Sequence, residues 1–330
     1  MYCRRKLFHR FIALFTVSVI LLSGCTEASD KLFTDYNLNI PVNTELMAST
    51  EWYSQDYLSE NVCVIPENKQ KKKDTNLPAD AALLINTKTN EMLYAHDIYK
   101  RLYPASVTKI VTAFVALKYG KLDDIVTISY NASHITEYGA KLCGFSEGDK
   151  VRLDKLLYAL IVYSGNDAGI AVAEHISGSV EVFSELMNKE MAELGASGSH
   201  FTNPHGLHDD NHYTTAYDLY LVFNKLVSGY PEFIDIIDRG SVKIKFKDAN
   251  GNKKELYFTS TVKYKTETET EVPPEGVTVT GGKTGTTMMA GSNLILYSTG
   301  PDGNNYISVV MHASDVYSLY RQMNYLLDME

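Results

Sequence analysis

The sequence predicts an α+β fold in which an antiparallel sheet carries helices on one side and a mostly helical lobe on the other. Three observations predict it. Short strand-like runs bounded by turn residues occur over residues 81–96 and again between 241 and 313. Apolar residues at three- and four-residue spacing fill the stretch between them, and the chain closes on one more amphipathic helix. Strands on both sides of a helical insertion suggest one sheet covered by helices.

The first 24 residues precede this domain. Arg4, Arg5, Lys6 and Arg10 flank the largely apolar run 11–22. That is the length of a secretory-leader core and too short to span a bilayer. Leu22-Ser23-Gly24-Cys25 follows, where a small-x-small cleavage site would otherwise stand. The tetrapeptide resembles the lipobox of bacterial lipoproteins. The resemblance implies cleavage before Cys25, a lipid on Cys25, and an extracytoplasmic chain anchored to a membrane of the cell envelope. Residues 25–76 read as a lipid-anchored spacer ending in the charge run Lys69-Gln70-Lys71-Lys72-Lys73-Asp74, a solvated tether or a segment lying against anionic polymers.

Structured sequence begins near Leu77, which gives 77–330 as the folded domain. Residues 81–86 and 91–96 read as strands joined by the turn Thr87-Lys88-Thr89-Asn90. Ile110, Val111, Phe114 and Leu117 predict a helix over 106–119. Leu153, Leu156, Leu157, Leu160 and Ile161 predict another that breaks at Ser164-Gly165-Asn166, with a helix over 167–176 beyond it. Val180, Phe183, Met187, Met191 and Leu194 line a further helix closed by Gly195. Thr215 and Asp218 form a capping-box pattern opening a helix to about residue 227. Strands are expected at 241–246, 255–264, 277–281, 292–298 and 306–313. Asp315 caps a final helix with Val316, Leu319, Tyr320, Met323 and Leu327 on one face. The Thr/Glu alternation at 266–271 reads as an exposed loop.

Composition narrows the function classes. With 330 residues, 45% of them hydrophobic, the chain supports a sizeable core. Its net charge is −9, and the leader contributes only cations, so the remainder is more acidic still. Such a chain gives no electrostatic basis for nucleic-acid binding. Cys3 leaves with the leader and Cys25 carries the lipid, so Cys63 and Cys143 are the only possible internal disulfide, at a distance the sequence does not give. No C-x-x-C occurs.

Three short motifs carry chemistry. Ser106-Val107-Thr108-Lys109 sets a hydroxyl and an amine three residues apart at a helix start, on one face. A serine needs a nearby base to attack at neutral pH, and a lysine serves only if burial or a neighbouring cation keeps its amine neutral. Ser164-Gly165-Asn166 falls between two helices and offers a hydroxyl and an amide to a cleft wall. Lys283-Thr284-Gly285 follows the strand 277–281 and leads into Thr286 and Thr287. There a glycine leaves a strand edge bare for an extended ligand, and Lys and Thr can meet a carboxylate. Singly, each is also what a helix cap, an interhelical turn or a solvated strand end looks like.

In this order the three resemble the S-x-x-K, S-x-N and K-T-G set of penicillin-binding proteins and serine β-lactamases. Longer stretches narrow the resemblance to the low-molecular-weight D-alanyl-D-alanine carboxypeptidases. These are Pro104-Ala105-Ser106-Val107-Thr108-Lys109, Ser164-Gly165-Asn166-Asp167-Ala168, and Asn203-Pro204-His205-Gly206-Leu207 with His212-Tyr213 and Tyr217-Asp218-Leu219. The resemblance implies a DD-peptidase-like fold, a penicillin-sensitive serine carboxypeptidase, peptidoglycan stem peptides as substrates, β-lactams as covalent inhibitors, and no cofactor. It makes Ser106 the nucleophile, Lys109 its base and Ser164 a proton relay. Asn166 would hold a substrate amide, Lys283 and Thr284 the terminal carboxylate, and the Ser106 and Thr286 N–H groups the oxyanion. It also leads one to expect Lys283 to depress the pKa of Lys109.

Two departures qualify it. The chain ends directly after the last helix, where many relatives continue into a β-rich domain and a C-terminal anchor, so lipid on Cys25 is the expected anchor. Thr286 stands where some relatives carry His or an aromatic residue. No E-x-x-L-N segment of the class A β-lactamases is present, and intact catalytic positions argue against an inactive sensor. His205, His208 and His212 with Asp209 and Asp210 could suggest a metal cluster, but Pro204 and Gly206 break the helix that their spacing would need. No metal is expected.

Overall fold

Six consecutive buried residues mark β1 (Ala81–Asn86) as an interior strand of a sheet covered on both faces. The computed structural model describes residues 63–72, 74–266 and 271–330. The leader, Cys25, most of the expected spacer and residues 267–270 of the Thr/Glu stretch lie outside the described residues.

After β1 come β2 (Glu91–His96), a 3₁₀ turn (Ala105–Thr108) and α1 (Lys109–Tyr119). Next are β3 (Ile125–Thr127), α2 (Tyr130–Ser133), β4 (Lys150–Arg152), and α3 (Leu153–Tyr158), which runs into a π-helical turn (Ala159–Tyr163). The lobe continues through α4 (Asn166–Ser177), α5 (Val180–Glu193), α6 (Ala216–Gly229) and α7 (Pro231–Ile237). Then follow β5 (Ser241–Lys247), β6 (Lys253–Thr259), β7 (Thr278–Thr287), β8 (Gly291–Thr299), β9 (Asn305–Ala313) and α8 (Val316–Leu327).

The main sheet is antiparallel with order β2-β1-β9-β8-β7, so strands from both ends of the domain meet in it. Side-chain alternation sorts its two faces. Ala81, Leu83, Ile85, Ile295, Ile307 and Val309 join the core shared with the helical lobe. Ala82, Leu84, Leu294, Leu296 and Val310 join a second core under Leu319, Tyr320, Met323 and Leu327 of α8. At about 25 cal/mol per Å² of apolar area, these two layers supply the main driving force for the fold.

Expected caps are present. Thr215 Oγ1 accepts from the Asp218 N–H, and Asp315 accepts from the Ser318 N–H. Three features differ from expectation. The strands expected at 241–246 and 255–264 form no part of the main sheet; as β5 and β6 they pair with β3 and β4 in a separate four-stranded sheet. The strand expected to end at Gly281 continues to Thr287, so Lys283-Thr284-Gly285 lies within β7 and not after it. Packed structure also begins before Leu77. Cys63 and Ile65 are buried in the core, the Cys63 N–H donates to Tyr220 Oη at 2.9 Å, and the Lys71 N–H donates to Ala95 O at 2.7 Å. Part of the expected tether therefore runs along β2 and shields that edge strand. Cys63 and Cys143 are both buried and both free thiols.

Candidate active site

The Ser106 turn is held from three sides. Ala105 adopts φ 49°, a left-handed conformation uncommon outside glycine. The Asn293 side chain on β8 donates to the carbonyls of Tyr103 (3.0 Å) and Pro104 (2.9 Å) just ahead of it. Gly285 lies against it, and a Cβ there would stand 2.7 Å from Pro104 O and 2.8 Å from Ser106 N. Gly206 presses from the lobe, where a Cβ would meet Ala105 O at 1.9 Å. Both glycines are thus required for close backbone approach. Gly285 clears space for the Ser106 turn, in addition to sitting on an edge strand.

Lys109 is fully buried at the start of α1. Its Nζ donates to Ser106 Oγ at 2.9 Å, Asn166 Oδ1 at 2.8 Å and His205 O at 2.7 Å. A neutral amine keeps two N–H bonds, enough for the two carbonyl oxygens, and turns its lone pair to the Ser106 hydroxyl. Burial is the main cause that pulls its pKa from 10.5 down to about 7. Lys141 adds to this effect, while Cys143 and Asp167 oppose it; the coupling to Lys283 shows on the Lys283 side, where Lys109 is one cause of a lowered pKa. The geometry therefore supports proton transfer from Ser106 to Lys109 near neutral pH.

Ser164 ends the π-helical turn with φ 74°. This left-handed residue interrupts the helix and directs the chain into α4, which begins at Asn166. Ser164 Oγ accepts from Lys283 Nζ at 2.9 Å, leaving its own proton available to a third group.

Lys283 reaches that position because β7 is bulged. Val279 pairs with Ser298 and Gly281 with Tyr297, leaving Thr280 as an extra residue. Before the bulge Val279 belongs to the α8 core. After it Gly281 abuts Ile237 of the lobe and Lys283 pairs with Ile295, which also faces the lobe. One inserted residue thus reverses which face Lys283 and Gly285 occupy. Lys283 is fully buried, and its pKa is held well below the usual lysine range by burial first, then by Lys109 and Lys141. Thr284 Oγ1 bonds to Thr261 Oγ1 at 2.7 Å, and Thr286 Oγ1 donates to Ser292 Oγ at 3.4 Å. The structure thus brings Ser106, Lys109 and Asn166 into one hydrogen-bonded group and Ser164 with Lys283 into a second, the two joined through the Ser164-Gly165-Asn166 turn, with Thr284, Gly285 and Thr286 on the β7 side.

The histidines have structural partners. His212 Nε2 bonds to Thr108 Oγ1 at 2.8 Å, and His205 Nδ1 accepts from the Leu207 N–H at 3.2 Å. Burial pulls both imidazoles down to about 3, so both are neutral. Among the described residues no group of His, Cys, Asp and Glu forms a metal cluster.

Sequence reasoning missed Asn293, Thr261 and the loop around Lys141. That loop is pinned to the Ser164-Gly165-Asn166 turn: Lys141 O accepts from the Asn166 N–H at 2.7 Å, and the Gly144 N–H donates to Asp167 Oδ2 at 3.0 Å. A Cβ on Gly165 would lie 2.1 Å from Cys143 Sγ. No periodicity or motif marks this loop, so nothing short of the fold would have found it.

Residues 67–315 match the protein family described as D-alanyl-D-alanine carboxypeptidase. The D-alanyl-D-alanine carboxypeptidase DacA of Haemophilus influenzae is 34% identical over 241 residues, covering 71% of this chain and 57% of that protein. DacD of Escherichia coli is 30% identical over 273 residues, covering 79% of this chain and 63% of that protein. The chain spans less than two thirds of either relative's length. The Streptomyces K15 DD-transpeptidase shares the fold with a TM-score of 0.71 at 24% identity, over 78% of this chain and 98% of its own. The expected DD-peptidase-like α+β fold is borne out.

Proposed function

The chain belongs to the D-alanyl-D-alanine carboxypeptidase family, and from that premise we propose that it removes the terminal D-alanine from peptidoglycan stem peptides through an ester on Ser106. One observation carries the reading: Ser106 Oγ stands 2.9 Å from a fully buried lysine amine whose pKa lies at about 7.

The chemistry follows from the contacts. The substrate's terminal carboxylate docks at Lys283 and Thr284, where its charge offsets the burial that disfavours the Lys283 ammonium. Asn166 and the open edge of β7 hold the extended peptide. Ser106 passes its proton to Lys109 as Oγ bonds to the carbonyl carbon. The N–H groups of Ser106 and Thr286 stabilise the oxyanion, at about 3 kcal/mol per donor. Ser164, bonded to Lys283, gives its proton to the departing amine as the C–N bond breaks, and is reprotonated through the lysines. Water then cleaves the ester. A β-lactam has the same carboxylate and amide, so it acylates Ser106, and its tethered leaving group shields the ester from water.

The Arg-rich leader and Leu22-Ser23-Gly24-Cys25 support export and a membrane anchor through lipid on Cys25. No helix among the described residues is long and apolar enough to cross a membrane.

Mass analysis of purified pentapeptide muropeptides incubated with the protein tests the activity. Loss of one alanine residue per stem, abolished in Ser106→Ala, is the expected result. Unchanged muropeptides would overturn the reading.

A further inference from the structure

Lys141 has no place in the reaction just described, although it lies beside the site. Its carbonyl accepts the Asn166 N–H, and Asn166 in turn accepts from Lys109. Its ammonium lies 4.1 Å from the centroid of the Tyr163 ring, next to Ser164. Tyr163 itself leans on Phe258 with centroids 4.7 Å apart, so the aromatic platform is fixed.

This cation lacks an acidic partner. Among the described residues no carboxylate lies within ion-pair distance of Lys141. Asp167, which helps to pin this loop, is buried, with one oxygen accepting from the Gly144 N–H and the other from the Ala168 N–H. In a chain of net charge −9, three lysines therefore gather around one cleft. Lys109 is engaged by the nucleophile and Lys283 by the substrate's terminal carboxylate. Lys141 is an exposed residue whose ammonium rests on the Tyr163 ring, and a positive side chain in this setting suits a ligand anion.

We propose that Lys141 is a specificity residue that binds a second carboxylate of the substrate, carried by the residue preceding the two D-alanines. The side of the cleft follows from the pinning of the loop. Lys141 sits on the backbone of Asn166, which holds the acyl side of the peptide, whereas the terminal carboxylate lies towards β7. The proposal rests on the DD-carboxypeptidase reading and adds a substrate class to it: stem peptides with an acidic centre at that position, in preference to neutral ones.

The test compares two acylated D-Ala-D-Ala peptides, one with a free carboxylate on the preceding residue and one with the isosteric carboxamide. Wild-type protein should favour the carboxylate peptide by about tenfold in kcat/KM, mostly through KM, as a charge-assisted hydrogen bond provides. Lys141→Gln should bring the ratio near one, Lys141→Arg should retain it, and added salt should shrink it in wild-type protein. Equal use of both peptides by wild-type protein, or a preference surviving in Lys141→Gln, overturns the proposal while the peptidase reading stands. Hydrolysis of neither peptide would instead overturn the peptidase reading.

Discussion

Replacing Lys109 with arginine tests the neutral-amine requirement through stability as well as rate. Lysine at this buried site drops from 10.5 to about 7, so its charged form is disfavoured there by about 5 kcal/mol. The folded value lies below the unfolded one. The group's stabilising contribution is therefore complete above about pH 10.5 and is lost as pH falls through about 7. In that window Lys109 adds roughly 1.4 kcal/mol of stability per pH unit. Arginine stays charged throughout and adds no such slope. Between about pH 6 and about pH 9 the gap between wild type and Lys109→Arg should widen by roughly 3 kcal/mol, or roughly 6–12 °C in Tm for a domain of this size. Thermal unfolding at the two pH values measures it, and β-lactam acylation of the variant should fall by at least ~100-fold. A Tm gap independent of pH would refute the titration of Lys109 near neutrality, and near-normal acylation would remove it as the base.

Three further outcomes are expected. Gly285→Ala places a Cβ 2.7–2.8 Å from the backbone of Pro104 and Ser106; displacement of the turn should slow acylation about 100-fold, whereas an unchanged rate would show that the turn yields freely. The wild-type acylation rate should rise with pH through a midpoint near 7, and Lys141→Gln should move the midpoint upward because Lys141 helps to depress Lys109; an unmoved midpoint would remove Lys141 from that balance. Cys25→Ala should shift the protein from the detergent phase to the aqueous phase with its activity intact, and a wild-type protein that already partitions into water would refute the lipid anchor.

Much of this architecture was legible in the sequence. β1 and β2 have the bounds that their short runs and the polar turn between them predict, and α8 begins at its Asp315 cap, because local patterns and tertiary packing agree there. The motif residues were legible as chemistry, since S-x-x-K geometry is set within a single helical turn. What joins them was not. Gly281-Gly282 reads as the end of a strand, yet the strand continues because both glycines are needed for close packing. A Cβ would meet Ile237 O at 1.9 Å on the first and Ile295 O at 1.9 Å on the second. The bulge at Thr280 is a matter of pairing, which period alone does not encode. β3 and β4 are three residues each, too short to show alternation. Lys141 acquires its place only when its loop meets Asn166. The part that Lys141 plays beside Lys109 could therefore not be read from the motifs.

The covalent intermediate tests the central claim most directly. Intact-mass spectrometry after mixing with a penicillin should show a single adduct of one penicillin mass, persisting for minutes or longer and absent in Ser106→Ala. Persistence is expected because Ser106 is the attacking group, the opened ring keeps its amine in the cleft, and no E-x-x-L-N glutamate is present to direct water at the ester. Rapid multiple turnover of penicillin without a trapped adduct, or an adduct that survives in Ser106→Ala, would contradict the account.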